Sequence, residues 1–207
     1  MGQHRVRIKM CGMTRPSDVE RAIALGVDAL GFIFYPQSSR YVSIEKAPAL
    51  MQNLPVFVST VAVFVNPAVE TVWQVLNTLP VHYLQFHGQE TASFCQQFQR
   101  PYIKALPAHS RSDILAGVAA HPHAAAILLD TPSAAHGGTG QVFDWQMIPN
   151  DLQCPLILAG GLQVANVNTA ISQCSPYAVD VCSGLETAPG IKDHDKMSQF
   201  VVRVNKQ

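Results

Sequence analysis

Cys11 closes the apolar run RIKMC, with Lys9 two residues upstream and Gly12 directly after it. A thiol beside a cation can do chemistry, because the ammonium charge favours the deprotonated, reactive sulfur. The plain alternative is a small buried hydrophobe, since free cysteine is among the most buried residue types. Asp130 closes a second apolar run, AAAILLD, and opens into the Gly-, Ser- and Thr-rich stretch TPSAAHGGTGQ. A carboxyl raised in pKa by burial is a general acid or base, whereas one that caps a turn is only structural. Gly160-Gly161 follows LILA, and Ser183-Gly184 follows VDVC. Glycine lets backbone N–H groups approach phosphate oxygens with no Cβ in the way, although both pairs also suit ordinary turns. Arg40, in YPQSSRYVS, is either a bidentate clamp for a carboxylate or a solvated surface side chain. The HPH stretch at His121–His123 has no acidic or cysteine neighbour in sequence, so it reads as a surface turn and not a metal site.

Composition narrows the setting. The chain has 207 residues, 48% of them hydrophobic, enough for one sizeable core. Zero net charge carries no footprint for nucleic acid or an anionic membrane. No run approaches the roughly 18 apolar residues of a membrane span, and MGQHRVRIKM lacks the apolar stretch of a signal peptide. Five cysteines without a C-x-x-C suggest neither a disulfide framework nor a zinc ribbon. Reduced thiols and a cytoplasmic location are the expectation.

The elements that must position these residues alternate along the whole chain. Strand patterns fall at residues 6–11, 28–34, 57–65, 82–86, 102–106, 125–130, 156–159 and 178–182. Helix patterns lie between them. The stretch 16–26 opens on Pro16 and stops at Gly26; 66–80 starts at Asn66 as N-cap and ends before Pro80; 162–174 and 193–204 are the last two. Eight β–α units leave no room for a second domain, so residues 1–207 are expected to form one. Such a repeat makes a parallel sheet with right-handed crossovers, and eight units predict an α/β fold closed into a compact (β/α)₈ TIM barrel. An open doubly wound sheet would more often carry G-x-G-x-x-G after its first strand, and CGMTRP does not match.

A barrel places its active site at the C-terminal ends of the strands, and often its phosphate site after strands 7 and 8. Strand alternation then sorts the side chains. Lys9 and Cys11 face the interior, and Ile8 and Met10 face the helices. Asp180 and Cys182 share one face, as do Gln85 and His87. Cys11 and Asp130, from non-neighbouring strands, would face each other across the mouth.

The stretches KMCGMT, DALGFIFYPQSSRYVS, VAVFVN, LQFHGQE, LLDTPSAAHGGTGQVFDW, LAGGLQVANV and VDVCSGLETAPGIKDHDKM, in this order, resemble the phosphoribosylanthranilate isomerase family of tryptophan biosynthesis over essentially the whole chain. The resemblance implies a single-domain barrel that needs no cofactor or metal and performs an Amadori rearrangement of a phosphorylated aminoaldose. It implies Cys11 as general base, Asp130 as general acid, Arg40 at the anthranilate end, and the loops at Gly160-Gly161 and Ser183-Gly184 around the phosphate. Asp180 would bond a sugar hydroxyl, and Gln85 and His87 would line the mouth. The partner is the small phosphorylated substrate, in a monomer or homodimer. Cys182 stands where the family commonly has serine, and Met10 where a β-branched residue is usual. Neighbouring readings are another phosphate-binding barrel, such as an indole-glycerol-phosphate synthase or a ribulose-phosphate epimerase, and a catalytically silent sensor. The first would carry more lysine and glutamate at strand ends, the second metal-ligating histidines there; intact Cys11 and Asp130 argue against the sensor.

Overall fold

The computed structural model describes residues 5–132 and 142–206. The Gly- and Ser-rich stretch at 133–141, singled out above, lies outside the described residues. Eight parallel strands close in sequence order: β1 (Arg7–Cys11), β2 (Ala29–Ile33), β3 (Ser59–Phe64), β4 (Tyr83–Phe86), β5 (Tyr102–Pro107), β6 (Ala126–Asp130), β7 (Leu156–Leu158) and β8 (Ala178–Val181), with β8 pairing β1. Every strand lies within two residues of its predicted place. The largest trims are in β3, where Phe57 falls outside the strand. Val58 N–H bonds back to the Pro55 carbonyl, and this turn leaves Val56 and Phe57 86% and 94% exposed.

Around the barrel run α1 (Pro16–Ala24), α2 (Ala47–Met51), α3 (Val69–Thr78), α4 (Ala92–Gln96), α5 (Arg111–Ala120), α6 (Val167–Cys174) and α7 (His194–Asn205). α7 shows why such segments are helical: Met197, Phe200, Val201 and Val204 recur at one face and are buried, while Asp193 caps the first turn by accepting from Asp195 N and Lys196 N. Two expectations change. The N-cap of α3 is Ala68, not Asn66. Asn66 is left-handed (φ 45°), and its side chain accepts from Gln89 N instead, tying the loops after β3 and β4 together. After β6 the described residues carry only a 3-10 turn at Trp145–Met147 in place of a helix. Past β8 there is an unpredicted addition: a 3-10 turn at Ser183–Leu185 leads into an antiparallel hairpin, β9 (Glu186–Ala188) and β10 (Ile191–Lys192).

Alternation produces two apolar layers. Ile8, Met10, Leu30, Phe32, Leu84, Phe86, Leu129, Val179 and Val181 pack outward against the helices. Val61, Val63, Ile103, Ala105, Leu128 and Ile157 fill the barrel with Cys11. Met10 does face the outer layer, fully buried. The polar residues Lys9, Gln85, Lys104 and Asp180 are buried as well. Buried charges need partners, and these lead to the site.

Candidate active site

The C-terminal mouth of the barrel holds a cavity of about 350 Å³. Cys11, Arg40, Gln85, His87, Asp130, Gly160, Gly161, Asp180, Cys182, Ser183 and Gly184 all line it, so every predicted site residue converges there.

Cys11 ends β1 opposite Gly31 of β2. A Cβ on Gly31 would stand 2.7 Å from the Cys11 sulfur and 3.1 Å from Lys9 Nζ. Glycine is therefore what makes room for this thiol and its cation, and the two atoms are within about 6 Å of each other. Lys9 Nζ donates to Asp180 Oδ2 at 2.8 Å, directly across the β1–β8 ladder. Burial alone would strip a proton from Lys9, but the charges of Asp180 and Cys11 hold its pKa up, and it stays an ammonium. Burial pushes the Asp180 carboxyl up to about 6 against the pull of Lys9. Its Oδ1 is buried with no hydrogen-bond partner among the described residues. A buried orphan acceptor is costly unless something binds there.

The Cys11 pKa is held well below that of an ordinary thiol. A hydrogen bond from Cys182 is the largest cause; the charges of Lys9 and Lys192 add to it, and together they outweigh burial. Cys182, as the donor, is pushed well above. The two sulfurs are thus pushed in opposite directions, with Cys11 the one drawn toward the thiolate.

Asp130 ends β6 on the far side. Its Oδ1 accepts from Thr131 N at 2.8 Å, and its Oδ2 lies 3.1 Å from His87 Nε2. His87 Nδ1 is in turn 3.2 Å from Gln85 Nε2. Gln85 thus braces the His87 ring on one side while its other nitrogen faces Asp130. The residues foreseen only as lining the mouth therefore orient the carboxyl.

The glycine loops pack on one another and on the carboxyl. Gly160 and Gly161 are left-handed, with φ of 77° and 66°. A Cβ on Gly160 would collide with Thr131 and stand 2.9 Å from Asp130 Oδ1, and one on Gly184 would overlap the Leu162 carbonyl. Backbone from the loops after β7 and β8 thus lines one end of the cavity.

Arg40 is not a free surface cation. Its Nε donates to both Glu186 oxygens at 2.9 and 3.1 Å, and its Nη2 donates to Oε2 at 2.7 Å. Lys192 Nζ, wholly buried, donates to Glu186 Oε1 and to the Cys182 carbonyl, both at 3.0 Å. Burial alone would raise the Glu186 carboxyl, but Arg40 and Lys192 hold it down. Asp18, itself fully buried, anchors the hairpin by accepting from Lys192 N and lying 2.9 Å from His194 Nε2. Sequence reasoning missed Glu186 and Lys192. The available signal was the Pro189-Gly190 turn with an acid and a base on either side of it. Among the described residues no group of three His, Cys, Asp or Glu is arranged to hold a metal ion. No described helix is long and apolar enough to cross a membrane.

The sequence profile of the family N-(5'-phosphoribosyl)anthranilate (PRA) isomerase matches residues 8–203. The chain belongs to this family. It is an isomerase of tryptophan biosynthesis on a parallel β/α barrel. The N-(5'-phosphoribosyl)anthranilate isomerase of Legionella pneumophila (strain Lens) is 54% identical over 202 residues, 97% of this chain and 98% of that one. A PRA isomerase solved in complex with reduced 1-(o-carboxyphenylamino)-1-deoxyribulose 5-phosphate superposes with a TM-score of 0.87 at 36% identity, over 98% of this chain and all of that one. Monomers of the dimeric phosphoribosylanthranilate isomerase of Thermotoga maritima superpose with a TM-score of 0.87 at 35% identity over the same shares.

Proposed function

We propose that Cys11 is the general base and Asp130 the general acid of the PRA isomerase reaction, with the substrate laid across the mouth between them. The observation that carries this is the pairing of a cysteine on β1, its pKa held low, with an oriented carboxyl on β6, both lining one cavity. Asp130 gives its proton to the ribose ring oxygen, and the ring opens to a Schiff base. Cys11 takes the proton from C2′. The electrons left behind move into the iminium, which is its own sink, so no cofactor takes part. The enolamine then tautomerises to the ketone, and 1-(2-carboxyphenylamino)-1-deoxyribulose 5-phosphate leaves.

Orientation comes from the two ends of the substrate. The N–H groups around Gly160, Gly161, Ser183 and Gly184 take the phosphate. The Arg40 guanidinium takes the anthranilate carboxylate. Glu186 occupies its Nε and Nη2 edge, and Nη1, 3.4 Å from Ser39 Oγ, is the remaining edge. Asp180 Oδ1, otherwise without a partner, takes a sugar hydroxyl. His87 is a positioning residue acting through Asp130.

The same reading extends to the whole molecule, with residues 1–207 as one domain that assembles as a homodimer. The exposed Val56-Phe57 turn supports this, since Phe57 borders a second cavity at the N-terminal end of the barrel with Ala29, Tyr83, Ile103 and Ala126. An apolar turn that exposed is more stable when covered.

The deciding experiment follows conversion of phosphoribosylanthranilate by fluorescence in Cys11→Ser and Asp130→Asn. Each loses roughly 10²–10⁴-fold in kcat while keeping the wild-type far-UV spectrum. Near-normal turnover by Cys11→Ser would overturn the base assignment.

A further inference from the structure

Cys182 does more at the mouth than lend a hydrogen bond. β1 and β8 pair in parallel with Lys9 opposite Asp180 and Met10 opposite Val181. The ladder ends there; Cys11 and Cys182 are the residues that follow Met10 and Val181, and both line the cavity. Neighbouring strands lie about 4.8 Å apart, inside the roughly 4.4–6.8 Å that Cα atoms span across a disulfide. The Cys182 thiol lies 3.9 Å from Glu186 Oε1, in the same cavity as the Cys11 sulfur. Lys192 Nζ stands 3.8 Å from the Cys182 sulfur, a cation fixed beside the pair. Of the other three cysteines, Cys95 is fully buried, and neither Cys154 nor Cys174 lines this cavity.

We propose that Cys11 and Cys182 are a redox-sensitive pair, closed to a disulfide by a peroxide and reopened by a thiol reductant. The Cys11 thiolate attacks a peroxide oxygen, the O–O bond breaks and hydroxide leaves, giving a sulfenic acid. The Cys182 sulfur then attacks the Cys11 sulfur. The S–O bond breaks, and the departing hydroxide takes the Cys182 proton and leaves as water. The two sulfurs together lose two electrons, and the peroxide gains them. Closing the bond removes the sulfur that accepts the C2′ proton, so turnover stops until two reducing thiols return the pair to thiolate and thiol. The inhibition rests on Cys11 being the base; the disulfide itself does not.

The test treats the full chain with hydrogen peroxide, blocks free thiols, and reads intact mass, the cysteine peptide map and isomerase activity before and after dithiothreitol. The expected product is lighter by two hydrogen atoms, joined Cys11 to Cys182, inactive in proportion to the bond formed, and restored by dithiothreitol. In Cys182→Ser, compared with its own untreated rate, the cross-link is absent. Cys11 there proceeds to sulfinic acid, which dithiothreitol does not reverse. Cys182→Ala gives the same reading should the serine variant fold poorly. Absence of the Cys11–Cys182 peptide, or full dithiothreitol-reversible loss in Cys182→Ser, would overturn the pair. A disulfide formed with activity undiminished would overturn the switch, and the base assignment with it.

Discussion

Lys9 and Asp180 act on Cys11 with opposite signs, and that opposition can be measured. Both sulfur and ammonium lie close to the Gly31 Cβ position, at 2.7 and 3.1 Å. At about 6 Å or less and an effective dielectric near 20, two unit charges interact by about 2.8 kcal/mol or more. At about 1.4 kcal/mol per pH unit, Lys9→Met moves the Cys11 pKa up by about two units. Some of this is returned, because Asp180 without its partner takes up a proton and ceases to repel the thiolate. Asp180→Asn removes the repelling charge and leaves Lys9, so it moves the Cys11 pKa down. In kcat/KM against pH, which reports the free enzyme, activity needs the thiolate and is lost as pH falls through the Cys11 pKa. The acidic limb is therefore expected to shift up by one to two pH units in Lys9→Met and down in Asp180→Asn, whatever each variant loses in maximum rate. Limbs that move in the same direction, or that stay within about half a unit of wild type, would refute Cys11 as the group that sets the limb.

Four further outcomes follow from the geometry. Arg40→Ala loses a charge-assisted contact of about 1.5–3 kcal/mol, so KM rises about 10–100-fold with a smaller effect on kcat in steady-state assays; unchanged KM and kcat/KM would remove Arg40 from the site. Gly160→Ala forces a Cβ into Thr131 and beside Asp130 Oδ1 at a left-handed position, and about 100-fold loss in kcat is expected with the protein still folded; wild-type kcat would mean that Asp130 tolerates displacement. Lys104 Nζ donates to Phe86 O at 3.2 Å, Gly88 O at 2.6 Å and Glu90 Oε2 at 2.9 Å, and both Lys104 and Glu90 are buried. Urea unfolding should show Lys104→Ala destabilised by about 3–5 kcal/mol and Lys104→Met/Glu90→Gln by less, since only the first leaves a buried carboxylate alone. Phe57→Asp is expected to be monomeric by light scattering where the wild type is dimeric, with kcat preserved; a wild-type monomer would refute the dimer.

The barrel and its inward-facing residues were legible because a strand has a rigid period of two. Once β1 and β8 were placed, the orientation of Lys9, Cys11, Asp180 and Cys182 followed without any knowledge of their neighbours. Helices were less legible where they are short: α2 and α4 have five residues each, too few to show a period of 3.6. Asn66 read as a cap because Asn is a good one locally, but its side chain was claimed by Gln89, a partner 23 residues away. Glu186 and Lys192 were marked in sequence only by flanking the Pro189-Gly190 turn, and their roles were hidden for a similar reason. Their inward turn depends on Arg40, 146 residues from Glu186, and on Asp18, 174 residues from Lys192. No local pattern records such pairings.

This limit bears on the chemistry, because the charge on Cys11 cannot be derived from Lys9 alone. Lys9 is largely answered by Asp180, the nearest acid. Taken with the hairpin, the β1–β8 side of the mouth, opposite Asp130, holds three cations, Lys9, Arg40 and Lys192, against two carboxylates, Asp180 and Glu186. One positive charge is left over, and a Cys11 thiolate balances it. A buried cluster is most stable when its charges cancel and each is hydrogen-bonded. The thiolate is thus part of how the cluster satisfies itself, and the β9–β10 hairpin supplies the residues that complete it. Removing Lys192 should then raise the Cys11 pKa even though Lys9, the cation visible beside it in sequence, is untouched.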